Sequence, residues 1–160
     1  MQQATLSSVT ADTVLQTAIQ MEELGRDFYE ALGAVTDDPA MADLCRRLAA
    51  AESSHLDVFR QMRSKLARRG ETVLLRDRRL AEARQAAKDA ILPDPDTIRR
   101  LARSGGAADV IEMAVRMETE AVAFYRVLAG QLPDAAAVEA VIREEEGHLR
   151  LLTTFRADQA

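Results

Sequence analysis

The segment Glu-x-x-His-Leu occurs twice, at Glu52–Leu56 and Glu145–Leu149, and each copy sits on a stripe of apolar residues spaced three and four apart. That spacing is one face of an α-helix, the face a helix buries. The first copy belongs to Met41, Cys45, Leu48, Glu52, His55, Phe59, Met62 and Leu66, the second to Val138, Val141, Glu145, His148, Leu152 and Phe155. Two more stripes share the period: Leu15, Ala18, Glu22, Gly25, Tyr29, Leu32, and Ile111, Ala114, Glu118, Ala121, Tyr125, Leu128. Four such faces bury themselves best against one another, so the expected fold is all-α, a four-helix bundle. Composition agrees. Of 160 residues only 4% are aromatic, none is Trp, and seven Gly with four Pro supply little turn chemistry for a β fold.

The stripes form two related pairs. Ala18–Leu32 matches Ala114–Leu128 at an offset of 96, with six of fifteen positions identical. Together with the shared Glu-x-x-His-Leu, this makes the chain two copies of a helix pair, 10–69 and 107–157, in a single domain spanning 1–160. Asp38 and Pro39 predict the start of the second helix, as cap and first-turn proline, and Gly70 predicts its end. The connector, 70–106, is longer than a crossover along a bundle requires. Within it Leu80, Ala83, Ala87 and Ile91 predict an extra helix over about 77–91, Pro93-Asp94-Pro95 a break, Thr97–Arg103 one or two helical turns, and Ser104-Gly105-Gly106 a joint.

The net charge of −5 conceals an asymmetry: residues 60–103 hold 13 of the 21 Lys and Arg but 6 of the 26 acids, so the basic excess there is offset elsewhere. That basic stretch has interleaved acids and no aromatic platform on which bases could stack, so nucleic acid is not the expected partner. Packing against the acidic remainder, of this copy or another, explains it more simply. No apolar run approaches the roughly 18 residues of a membrane helix, and no basic-then-apolar leader opens the sequence. Cys45 is the one cysteine, which excludes an intrachain disulfide and any Cys-rich metal site. A cytoplasmic protein with an inert buried thiol is expected.

Glu22, Glu52, Glu118 and Glu145 all fall on the stripes that converge in the bundle, with His55 and His148 three residues after two of them. Buried charges cost several kcal/mol each even after relaxation, and like charges repel. No Lys or Arg occupies the stripes nearby. The compensating cations must therefore come from solution, and two divalent ions balance four glutamates. Residues three apart on a helix project to one side, so each Glu-x-x-His offers an oxygen and a nitrogen to one site. A carboxylate and imidazole donor set without thiolate suits Fe or Mn better than a structural zinc site. Carboxylates can also bridge two metals roughly 3.5–4 Å apart.

Two Glu-x-x-His helices, each preceded by a Glu-x6-Tyr helix, together with Met21-Glu22-Glu23-Leu24-Gly25-Arg26-Asp27-Phe28-Tyr29, resemble the rubrerythrin/ferritin-like superfamily, its rubrerythrin branch in particular. The resemblance covers about 10–69 and 107–157 and leaves out the connector. It implies a ferritin-like bundle holding two iron ions, with Mn or Zn as substitutes. Glu22 and Glu118 are then terminal ligands, Glu52 and Glu145 bridging ligands, and His55 and His148 one nitrogen ligand per metal, with Tyr29 and Tyr125 as near neighbours. It further implies ferroxidase or peroxidase chemistry with dioxygen or hydrogen peroxide. A departure is Ala121, which stands where such rubrerythrins carry an additional Glu ligand. The four-cysteine rubredoxin module of typical rubrerythrins cannot be built from one Cys, so electrons come from a separate donor.

The expected protein is thus a di-iron oxidoreductase acting as a homodimer, with helix pair exchange through the long connector as one arrangement. Two other functions would use the same residues: iron binding or storage without turnover, and a purely structural metal site. The short tail after Phe155 lacks the fifth helix of storage ferritins, which counts against storage. Among residues beside the ligands, Glu23, Glu120, Glu144 and Glu146 fall off the stripes, where solvation or a hydrogen bond to a ligand is expected. Met21 and Met117 are expected to fill gaps in the core.

Overall fold

The computed structural model describes residues 9–70, 72, 74–75, 79–80, 82, 85, 95–104 and 107–158. Four long helices build the bundle: α1 (Ala11–Gly33), α2 (Pro39–Arg69), α4 (Ala107–Ala129) and α5 (Ala136–Asp158), with a short α3 (Pro95–Arg103) before the second pair. Helix α1 lies along α2, α4 lies along α5, and α3 packs on α1 and α4. A two-residue antiparallel pairing, β1 (Val9–Thr10) with β2 (Leu74–Leu75), ties the start of α1 to the chain beyond α2.

The helix ends follow local chemistry. Thr10 caps α1, its Oγ1 accepting from the Thr13 N–H at 3.2 Å. Asp38 caps α2, its Oδ1 accepting from the Ala40 N–H at 2.9 Å, with Pro39 in the first turn. Gly70 ends α2 at φ 61°, the left-handed conformation that a side chain resists. At the far end of α1, Gly33 passes so close to α2 that a Cβ there would lie 3.0 Å from the Cβ of Cys45. That close approach leaves Cys45 buried, and burial pushes its thiol up to about 12.

All the stripe residues turn inward, with Met62, Leu66 and Phe155 half-buried. They do not make one continuous apolar core. One cluster gathers Val14, Leu15, Leu56, Phe59, Phe124, Tyr125, Leu128, Val138 and Val141. A second gathers Phe28, Tyr29, Leu32, Leu44, Leu48, Ile111, Ala114 and Leu152. Glu22, Glu52, His55, Glu118, Glu145 and His148 are buried as well, though they belong to neither cluster. Met21 and Met117 pack half-buried against the first and second clusters respectively.

Most of the expected connector helix over 77–91 falls outside the described residues, as do Gly105 and Gly106. Arg79, Leu80, Glu82 and Gln85 are helical, and Leu80 is buried in the first cluster. The turns expected over Thr97–Arg103 form the longer α3, whose Ile98 is buried in the second cluster. The connector therefore spends part of its surplus length covering its own bundle. Among the described residues no helix is long and apolar enough to cross a membrane.

Candidate metal centre

The six polar residues meet in two overlapping groups. In one, donor atoms of Glu22, Glu52, His55 and Glu145 lie within 4.8 Å of one another; in the other, those of Glu52, Glu118, Glu145 and His148 do. Glu52 and Glu145, from α2 and α5, are common to both. Each remaining pair joins a glutamate of one helix to a histidine of another: Glu22 of α1 with His55 of α2, Glu118 of α4 with His148 of α5. The imidazole rings stack at 5.7 Å between centroids and 27° between planes.

His55 Nδ1 lies 3.0 Å from Glu145 Oε1, 3.4 Å from Glu22 Oε2 and 3.5 Å from Glu52 Oε2. None of these approaches has hydrogen-bonding alignment, and His55 Nδ1 and Glu52 Oε1 are buried without a hydrogen-bond partner. Orphaned buried polar atoms of this kind are costly unless something else satisfies them. A divalent cation would do so here, since His55 Nδ1 and the carboxylate oxygens lie around one small volume. On the other side His148 Nδ1 lies 2.7 Å from Glu145 Oε2, 3.7 Å from Glu52 Oε1 and 3.9 Å from Glu118 Oε1. The donor set therefore fits two divalent ions held by carboxylate oxygen and imidazole nitrogen, with no thiolate.

The titration behaviour reflects the crowding. Burial pushes Glu52 well above the usual carboxylate range, helped by a hydrogen bond shared with Glu22 and by the nearby Glu145 and Glu118. Glu118 rises by burial and by Glu145 beside it, and Glu145 rises by burial in spite of His55. For Glu22, burial is outweighed by the adjoining Glu52 carboxyl, the imidazole of His55 close by and the Tyr125 hydroxyl, which together hold it low. The same carboxylates outweigh burial at His55 and raise it, whereas burial prevails at His148 and lowers it. Without metal, then, the layer retains protons that a divalent cation would displace.

The two tyrosines are fully buried, and each donates its hydroxyl to a glutamate of the opposite pair: Tyr29 to Glu118 and Tyr125 to Glu22. Burial and the surrounding carboxylates lift both phenols well above their usual range, so they remain protonated donors. Phe59 packs its ring 5.0 Å from that of Tyr125, and Phe28 meets Tyr29 edge-on at 5.4 Å. Ala121 is buried in the first apolar cluster and carries no carboxylate to the layer.

Of the four acids beside the ligands, Glu23 pairs with Arg60 at 2.9 Å and Glu146 with Arg126 at 2.5 Å, while Glu120 is exposed. Glu144 differs: its Oε2 accepts from His55 Nε2 at 3.0 Å while the side chain stays 59% exposed. Such a carboxylate holds the proton on Nε2, so that Nδ1 is the nitrogen left to ligate once a metal displaces its proton. Glu144 thus meets both expectations for an off-stripe acid, a hydrogen bond to a candidate ligand and continued solvation. The sequence signal for that hydrogen bond is that Glu144 precedes His148 by four residues and so borders the buried stripe.

A four-helix bundle with paired Glu-x-x-His helices around a buried carboxylate layer defines the ferritin-like class of carboxylate metal proteins. The sequence profile of the rubrerythrin family matches residues 13–96, more than half of the chain, and the chain belongs to that family. The match runs on through most of the connector, which the sequence resemblance had left out, and stops before the second helix pair. A Thermotoga maritima protein whose crystal structure is described as a ferritin-like diiron-carboxylate protein has the same fold, at a TM-score of 0.78 and 22% identity over 96% of this chain and 98% of that one. No curated protein matches the chain.

Proposed function

We propose that this protein is a dinuclear-iron oxidoreductase that oxidises ferrous iron with hydrogen peroxide or dioxygen and is re-reduced by a separate electron donor. The observation that carries this reading is the pair of overlapping donor groups sharing Glu52 and Glu145. Two bound ferrous ions would supply two electrons, which with two protons reduce one hydrogen peroxide to two waters or one dioxygen to hydrogen peroxide. The residues do the rest. Glu52 and Glu145 would be shared by the two metal positions, with Glu22 and His55 completing one and Glu118 and His148 the other. Tyr29 and Tyr125 hold the outer carboxylates in orientation, and the apolar clusters contribute a dry surrounding. Manganese or zinc would fit the same donors without the same redox chemistry.

Anaerobic loading with ferrous iron, followed by separate additions of peroxide and dioxygen, tests the proposal. The expected result is two irons per chain and rapid oxidation, faster with one oxidant, which names the substrate. Two tightly held but inert ions would instead assign a structural site. Many more than two irons per chain would assign storage.

A further inference from the structure

Five of the six residues in the polar layer are 1–2% exposed, but His148 is 8% exposed. His148 also lines a cleft of about 630 Å³ between α2 and α5, so the polar layer borders that cleft at this residue. Ala40, Leu44 and Arg47 line one wall; Glu144, Gly147 and His148 belong to the other. The carboxylates at the cleft are already engaged, Asp43 with Arg46 at 2.8 Å and Glu144 with His55 at 3.0 Å. Arg47 and Arg150 add positive charge, so the mixed signs leave shape rather than charge to select what enters.

Gly147 is the unusual feature of this cleft. It lies inside α5, where glycine costs stability relative to alanine. No close packing requires it: a Cβ there would meet only the end of the Arg150 side chain, at an ordinary 3.6 Å. Gly25, by contrast, faces Glu52 at 3.4 Å, and Gly33 faces Cys45 at 3.0 Å. What the missing side chain at 147 provides is open volume next to His148.

We infer that the α2/α5 cleft is the route by which divalent cations and small oxidants reach the centre, and that Gly147 keeps it open. This inference rests on the dinuclear-metal reading above. Uptake of Co(II), followed by visible absorbance in stopped flow and by stoichiometry at equilibrium, tests it without relying on turnover. Gly147→Leu should fold at least as stably as the parent and still bind two Co(II), but load about tenfold more slowly. Gly147→Ala should fall in between. Ala40→Phe, filling the cleft from the opposite wall, should also slow loading and decides the matter if Gly147→Leu does not fold. Ala123→Leu, on an exposed face of α4, should load like the parent. Full stoichiometry at the parental rate in the Gly147 and Ala40 variants would overturn the route alone, as would equal slowing in Ala123→Leu. A parent that binds no Co(II) would overturn the dinuclear reading and the route with it.

Discussion

Tyr29 of α1 donates its hydroxyl to Glu118 of α4, so the phenol steadies the carboxylate of the other helix pair rather than Glu22 of its own helix. Tyr125 repeats the relationship in reverse with Glu22. The two repeats are thereby laced together through the polar layer. Tyr29→Phe removes a donor and leaves a buried acceptor unsatisfied, at a cost of about 1–3 kcal/mol. Denaturant unfolding of the metal-free protein should register that loss, and Tyr125→Phe should show a similar one. An unchanged midpoint in both would mean that these hydrogen bonds contribute nothing to stability.

The stability of the metal-free protein should fall as pH rises from about 5 to about 8. Glu52, Glu118 and Glu145 have raised values in the folded state, so the folded form retains protons that the unfolded form has already released. Their contribution is complete below the unfolded carboxylate value and is lost as pH climbs through the folded one. His55, also raised, acts in the same direction; the lowered His148 opposes it, and Glu22 titrates below this window. Calorimetry across the range should show a declining Tm without metal. The increment in Tm produced by a bound divalent ion should grow with pH, because binding displaces those protons. A metal-free Tm that rises steadily from pH 5 to about 8 would contradict the assignment.

Glu52→Gln keeps the shape of the side chain but removes a buried carboxylate belonging to both donor groups. Metal uptake should drop below two ions per chain and rapid ferrous oxidation should disappear. At about pH 8 the metal-free variant should melt above the metal-free parent, since repulsion in the layer is relieved. Oxidation at the parental rate would show that the centre lies elsewhere.

Phe59 is fully buried and supports the ring of Tyr125 at 5.0 Å. Phe59→Ala should cost about 3–5 kcal/mol of stability by the usual cavity accounting. Chemical denaturation measures this directly. A loss under about 1 kcal/mol would mean that the first apolar cluster closes over the gap.

Much of this molecule was legible in the sequence because helical period is a local property. It fixes the angle of a residue about its own axis, so the inward face of each long helix, with Glu22, Glu52, His55, Glu118, Glu145 and His148 on it, could be read directly. Asp38-Pro39 and Gly70 marked helix ends for equally local reasons. Period says nothing about which helix a face meets or at what height. The crossing of Tyr29 to Glu118, the contact of Glu144 with His55, the burial of Leu80 and Ile98, and the cleft beside Gly147 all depend on how separate helices are aligned. The sequence by itself determined that four carboxylates and two histidines must be buried together. Only the tertiary structure decided that they form two overlapping groups, and that His148 is the most exposed of the six, because relative height and azimuth between helices are set by packing across the whole bundle.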